Sequence, residues 1–199
     1  IFPNMIAILG GTINVFIDGV LIGQRMGEIG IAAVNQSLAV YLILCTIGSL
    51  FAAGASAESA HAMGERDVEK GREYFSIAME LAFLVGLILC GMGVLLTPAL
   101  AGLLGSPATS DLIQTYIRIT MIGGIFKVLL YIPYFYLRLD GKMQQSALAM
   151  LTMTVLNVAL DYIFLFPLDM GIAGAAWASV LATMVACGMS FWFLLHGEG

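Results

Sequence analysis

Long uninterrupted apolar runs are the feature of this sequence that most constrains its fold. Two of them, Met79 to Leu96 and Leu148 to Phe166, contain almost no side chain that water would solvate. A membrane-spanning helix needs about 20 apolar residues, and its backbone polar groups are satisfied within the helix. The composition agrees, because 60% of the 199 residues are hydrophobic and 11% are charged, against about 25% charged in a soluble domain. We therefore predict an all-α polytopic protein in a lipid bilayer.

Six segments are long and apolar enough to cross that bilayer, and the connectors between them carry the glycine, proline and charged residues that end helices. No connector is long enough to fold as a separate domain, so residues 1–199 are predicted to form one transmembrane unit. Because the first residue is not Met, we expect the chain to be a piece of a longer protein. The predicted spans are Pro3 to Gln24, Ile31 to Glu58, Tyr74 to Leu96, Asp111 to Leu139, Gln144 to Phe166, and Gly171 to Leu195.

Basic residues sort by connector and predict the orientation. Five lie in or beside the second and fourth connectors, whereas Arg25 alone lies in the other three. Positive charge collects on the cytoplasmic side of a membrane. Both termini are therefore predicted to be cytoplasmic, and the protein is predicted to lie in the plasma (inner) membrane.

Charge and reactive residues argue against several function classes. The net charge is −5, and no basic block exists that could neutralise a row of phosphates, so nucleic acid is not an expected partner. The three cysteines lie in separate apolar runs, unlike a metal or redox motif. An intramembrane protease would need a nucleophile and a base at one depth, and no GxSG motif occurs. We expect neither an enzyme nor a bound cofactor.

Four polar residues from three predicted helices fall at a similar depth. At about 1.5 Å per residue, Asp18 and Asp161 lie roughly 8 to 11 Å below the outer surface, with Asn157 and Ser179 within about one turn. Their oxygens suit a hard cation such as Na⁺. The same pair could instead hold H⁺, because two close carboxylates resist simultaneous ionisation. A purely structural role remains open, in which the carboxylates pair with Lys127 or cap broken helix ends.

Other intramembrane residues have structural interpretations. Lys127, near the middle of the fourth helix, could extend toward Glu80 on the third and form an intramembrane ion pair. Pro133 predicts a bend in the fourth helix and is a possible hinge. Small residues from Gly48 to Gly64 would let helix backbones approach closely.

The stretch NVALDYIFLFPLDMGIAGAAWASVLAT, Asn157 to Thr183, resembles the junction of the fifth and sixth helices in the multidrug and toxic compound extrusion (MATE) family. Residues 13–34, 54–78 and 136–150 are similar to that family too, so the resemblance covers nearly the whole chain. It implies the amino-terminal six-helix lobe of a twelve-helix antiporter, which exports small organic cations in exchange for Na⁺ or H⁺ by alternating access. The expected partner is the carboxy-terminal lobe or a second copy of this one.

The resemblance also implies a cation-coupling site. Family members with a site in this lobe use an Asp on helix one, an Asn and an Asp on helix five, and a hydroxyl on helix six. The matching positions are Asp18, Asn157, Asp161 and Ser179, which makes them the Na⁺ candidate set. Two departures are Ser179, where Thr is frequent, and Lys127, in a helix that the family usually keeps neutral. If Lys127 faces the cavity, it weakens the case for cationic substrates.

Two alternatives compete with this interpretation. A lipid-linked oligosaccharide flippase of the same superfamily would need several inward-facing basic residues for a pyrophosphate, and the sequence offers Lys127 and Arg118. A helical membrane scaffold without transport would use Asp18 and Asp161 only for structure.

Overall fold

The computed structural model describes residues 2–196, with side chains described for residues 14–196, and all regular structure in that range is helical. The predicted all-α fold is therefore confirmed. The six helices are α1 (Phe2–Gly64), α2 (Val68–Leu95), α3 (Thr97–Leu104), α4 (Ser110–Leu139), α5 (Met143–Leu165) and α6 (Gly171–His196).

The first two predicted spans form the two arms of α1, which is broken at Gly27. This residue has φ 68° and ψ −159°, a conformation that glycine adopts without steric cost. In a straight helix Asp18 and Leu38 would be about 30 Å apart, yet both line one cavity. The arms therefore fold back on each other, and a one-residue break replaces the predicted connector from Arg25 to Gly30.

Helix ends differ from the prediction mainly at polar positions. The second arm of α1 continues past Glu58 to Gly64, and α2 begins at Val68 rather than Tyr74. Asp67 caps α2, where its carboxylate accepts a hydrogen bond from the Lys70 backbone N–H at 3.0 Å. Hydropathy detects only the lipid-embedded part of a helix, so these polar extensions were missed.

The third predicted connector, Thr97 to Ser110, is not irregular throughout. It contains α3, whose first turn carries a proline, a position where the missing N–H has no helical partner to lose. Eight residues are too few to cross a bilayer.

The helices fit a lipid environment. Five of those in the described region are long and apolar enough to span a membrane, and Asn14–Gly64 of α1 alone has 51 residues, enough for two crossings. Large apolar side chains project outward, such as Leu95 at 80% exposure and Leu50 at 68%. Such faces are stable against lipid tails.

Helix α4 forms the centre of the bundle and packs against α1, α2 and α6. Ile113, Ile117, Val128 and Ile132 are fully buried along it. Pro133 lies inside α4, as the sequence predicts, and it is buried; the bend and the role as a hinge stay predictions.

The close approach expected for the small residues of the second span occurs at Gly48. A β-carbon added there would lie 2.7 Å from the Val128 carbonyl oxygen and 2.8 Å from Cδ2 of Tyr131. Only glycine lets α1 and α4 meet at this distance.

A buried hydroxyl pair joins three helices at one end of the bundle. The hydroxyls of Ser59 and Tyr136 are 2.6 Å apart, which links α1 to α4. The Ser59 hydroxyl also lies 3.0 Å from the carbonyl oxygen of Gly71 on α2, and the Tyr136 hydroxyl 3.2 Å from that of Ala55, so two hydroxyl protons serve these three contacts. Phe75 packs edge-on against the Tyr136 ring at 4.8 Å between centroids.

Candidate functional site

A cavity of about 140 Å³ lies between the two arms of α1 and helices α4, α5 and α6. This volume is large enough for several water molecules or a small solvated ion. Its walls combine apolar residues with a few convergent polar groups, the usual composition of a ligand site. The polar and aromatic lining residues used below are Asn14, Asp18, Tyr41, Tyr116, Lys127, Asn157 and Ser179.

Amide side chains connect three helices along this cavity. The Asn14 amide nitrogen, on the first arm of α1, donates to Asp18 at 3.1 Å and to the side-chain oxygen of Asn157 on α5 at 2.8 Å. Asn157 in turn donates to the hydroxyl of Ser179 on α6 at 3.3 Å. The first arm of α1 is thus tied through polar side chains to both helices that face it.

The carboxylates of Asp18 and Asp161 lie within hydrogen-bonding reach of each other. Asp161 is 1% exposed. As two ions they have no donor between them, whereas a proton on either would complete a hydrogen bond. Both oxygens of Asp161 and one of Asp18 are buried without a hydrogen-bond partner in the described region, as is the Asn14 amide oxygen.

These unpartnered oxygens determine what the cluster can bind. Buried polar atoms are normally satisfied, and a buried carboxylate is stable only with a positive partner or a proton. Residues 14–196 contain no group of three or more His, Cys, Asp or Glu side chains arranged to hold a metal ion. Carboxylate, amide and hydroxyl oxygens are ligands of hard cations such as Na⁺. The cluster fits Na⁺ or H⁺.

The structure brings together the four residues that the sequence singled out. Asp18, Asn157 and Ser179 line the cavity, and Asp161 lies directly behind it against Asp18. Their common depth follows from the helical positions, since Asn157 lies one turn before Asp161 on α5. That they bind the coupling cation stays a prediction.

Sequence reasoning missed Asn14, which donates hydrogen bonds to both Asp18 and Asn157. A signal was present, because NVFID at residues 14–18 repeats the pattern of NVALD at residues 157–161. In both, an Asn precedes an Asp by four residues and therefore lies on the same helical face. The two copies lie next to each other beside the cavity, and the hydrogen bond between Asn14 and Asn157 joins them.

The predicted ion pair between Glu80 and Lys127 is not formed. Glu80 is exposed on α2, and the ion pairs of the described residues do not include either side chain. Lys127 is 7% exposed and lines the cavity, with its ammonium nitrogen 4.7 Å from the centroid of the Tyr41 ring. It turns inward because α4 is surrounded by other helices, which leaves its stem no route to the membrane surface.

Comparisons with known proteins agree with this architecture. The family model MatE matches residues 3–163. The multidrug export protein MepA of Staphylococcus saprophyticus is 26% identical over 97% of this chain and 42% of its own length. A solved structure of MATE in the straight conformation is 25% identical and superposes with a TM-score of 0.91 over 98% of this chain and 43% of its own.

A second solved structure is a MOP superfamily transporter from Pyrococcus furiosus, whose binding pocket is described as having reversed polarity that suggests a different function. It is 24% identical, with a TM-score of 0.91 over 98% of this chain and 43% of that chain. This likeness concerns the fold. In each comparison, the chain spans less than half the length of the protein it matches.

Proposed function

Because the chain belongs to the MatE family of membrane transporters, we propose that it acts in the export of lipophilic organic cations in exchange for Na⁺ or H⁺. The MepA relatives are multidrug export proteins, and the family resemblance drawn from the sequence is confirmed by the family match. The chemical class of the exported solutes and the identity of the coupling ion are part of this proposal.

One observation carries this proposal: the Asp18 and Asp161 pair at the cavity, with buried oxygens that lack hydrogen-bond partners in the described region. Placing two ionisable groups inside a membrane costs free energy, so such a pair usually has a function. A bound cation or proton supplies the missing positive partner, so occupancy changes the energy of the surrounding helices.

The proposed mechanism is alternating access. A cation at Asp18 and Asp161 removes the repulsion between them and draws the first arm of α1 toward α5. The Asn14 bridge to Asn157 joins the same two helices, so it transmits the shift. Coupling requires that the ion and the exported solute favour different states of the bundle. Ion entry from outside would then release the solute there.

A complete exporter needs a second half. Because the chain spans about 42% of its MepA relative, we propose that a carboxy-terminal lobe, or a second copy of this chain, completes the transport path. The bias of basic residues favours cytoplasmic termini and residence in the plasma membrane.

The alternatives receive less support. Lys127 lies in the cavity, which favours some anionic character in the ligand. Arg118 is exposed and does not line the cavity, so the described region offers a single ammonium to a pyrophosphate. One ammonium is too few to bind the pyrophosphate of a lipid-linked oligosaccharide, so a flippase function receives little support. A scaffold would show no specific response to Na⁺ or H⁺.

The test is thermal unfolding of the detergent-purified chain in rising NaCl, with KCl as the ionic-strength control. A ligand that binds only the folded state stabilises it by RT ln(1 + [L]/Kd), about 2.7 kcal/mol at one hundred times Kd. We expect a Na⁺-specific rise that disappears in Asp161→Asn and persists in Glu80→Gln, which removes an exposed intramembrane carboxylate. If stability depends on pH instead of Na⁺, and only while both aspartates are present, the coupling ion is H⁺. A chain that responds to neither ion contradicts the proposal.

A further inference from the structure

Lys127 places a positive charge in the cavity that the carboxylate pair also adjoins. It projects from α4, is 7% exposed and lines the cavity together with Asp18. Its ammonium nitrogen lies over the Tyr41 ring, 4.7 Å from the centroid. No carboxylate among residues 14–196 forms an ion pair with it.

This environment leaves the ammonium short of a negative partner. A cation–π contact offsets only part of the cost of removing a charge from water. The ammonium has three N–H donors and no acceptor capacity, and its contact in the described region is the face of the Tyr41 ring. Neither Asp18 nor Asp161 forms an ion pair with Lys127 in the described region.

The space beside Lys127 suits a small anionic group. A recess next to the main cavity is lined by Lys127, Tyr41, Tyr116 and Ser179. The phenolic and serine hydroxyls can donate hydrogen bonds, and with an ammonium they form the donor set that binds oxyanions. Because the described cavity residues include one basic side chain, a singly charged carboxylate fits better than a phosphate.

We propose that Lys127 forms an anion-binding subsite, and that the exported solutes are lipophilic cations that also carry a carboxylate. The carboxylate binds Lys127, and the cationic and apolar parts occupy the rest of the cavity. This rests on the proposed export function and narrows its substrate class from simple cations to zwitterions. In transport, the solute supplies the negative partner that residues 14–196 do not give Lys127.

The test compares two probes that share one cation and one ring, benzyltrimethylammonium and its para-carboxybenzyl analogue. Binding to the purified chain is measured by titration calorimetry in KCl. We expect the carboxylated probe to bind at least about tenfold more tightly, equivalent to about 1.4 kcal/mol. Lys127→Met should lose this preference and Lys127→Arg should retain it. The proposal is overturned if wild type shows no preference, or if folded Lys127→Met keeps it.

A measurement without a variant covers the case in which Lys127→Met does not fold. Potassium acetate should displace the carboxylated probe from wild type and leave binding of the parent cation unchanged. Absence of displacement counts against the subsite.

The same titrations separate this proposal from the export function. If Na⁺ or H⁺ alters binding of the parent cation and the carboxylate adds nothing, the export proposal stands and the Lys127 subsite fails. If the carboxylated probe binds through Lys127 while neither ion affects either probe, the subsite stands and coupled export fails.

Discussion

Removing the Asn14 amide tests whether the polar network holds the first arm of α1 against α5. Asn14→Ala deletes a hydrogen bond to the Asp18 carboxylate at 3.1 Å and one to Asn157 at 2.8 Å. A bond to a charged group contributes about 1.5 to 3 kcal/mol and a neutral one about 0.5 to 1.5. Together they give about 2 to 4.5 kcal/mol, of which the better helix propensity of alanine returns at most about 0.7. We expect a net loss of about 1.5 to 4 kcal/mol.

The control is Asn35→Ala, which makes the same chemical change at another residue that lines the cavity. Asn35 is exposed and forms no hydrogen bond with described side chains, so its replacement should change stability by no more than about 0.5 kcal/mol. The assay is unfolding of both variants in mixed micelles with rising denaturing detergent, followed by helical circular dichroism. If Asn14→Ala unfolds at the same point as Asn35→Ala, the network does not hold the arm and the geometry of the site is wrong.

Two further predictions concern packing and the hydroxyl pair, each with a control on the same chain. Gly48→Ala forces a methyl group to 2.7 Å from the Val128 carbonyl oxygen and should cost about 1 to 3 kcal/mol in the same unfolding assay, whereas Gly54→Ala, with no atom within 4 Å, should be neutral or stabilising. Equal effects at the two glycines would contradict the close approach of α1 and α4. Tyr136→Phe removes a buried hydroxyl bonded at 2.6 and 3.2 Å and should cost about 1 to 3 kcal/mol. Tyr162→Phe, at an exposed ring, should cost almost nothing, and a similar loss in both tyrosine variants would refute the role of the hydroxyl pair.

Hydropathy predicted the lipid-embedded core of the fold, because the free energy of transfer into lipid depends on composition alone. It could not predict the polar ends of α1 and α2, which are stabilised by capping and helix hydrogen bonds in water. The turn at Gly27 was expected as a loop, since a glycine and nearby charges indicate a helix end. The chain reverses at the single residue Gly27 because of its backbone dihedral angles, which cannot be read from the sequence.

The sequence predicted the members of the candidate site whose position depends on depth along a helix, such as Asp18 and Asp161. The direction of a side chain around its helix was harder to predict. Lys127 was expected to reach Glu80, but α4 lies at the centre of the bundle and its lysine points into the cavity. Asn14 could have been found from the repeated NVxxD pattern, had the two helices been compared.

The central claim is that Asp18 and Asp161 hold the coupling cation between them, and infrared difference spectroscopy of their carboxyl groups tests it most directly. Spectra of the purified chain are recorded on addition of NaCl and, separately, on a change of pH. We predict that at least one of the two changes the carboxyl stretching bands, and that this change disappears in both Asp18→Asn and Asp161→Asn and persists in Glu80→Gln. Bands that respond equally in wild type and in both aspartate variants would contradict the claim.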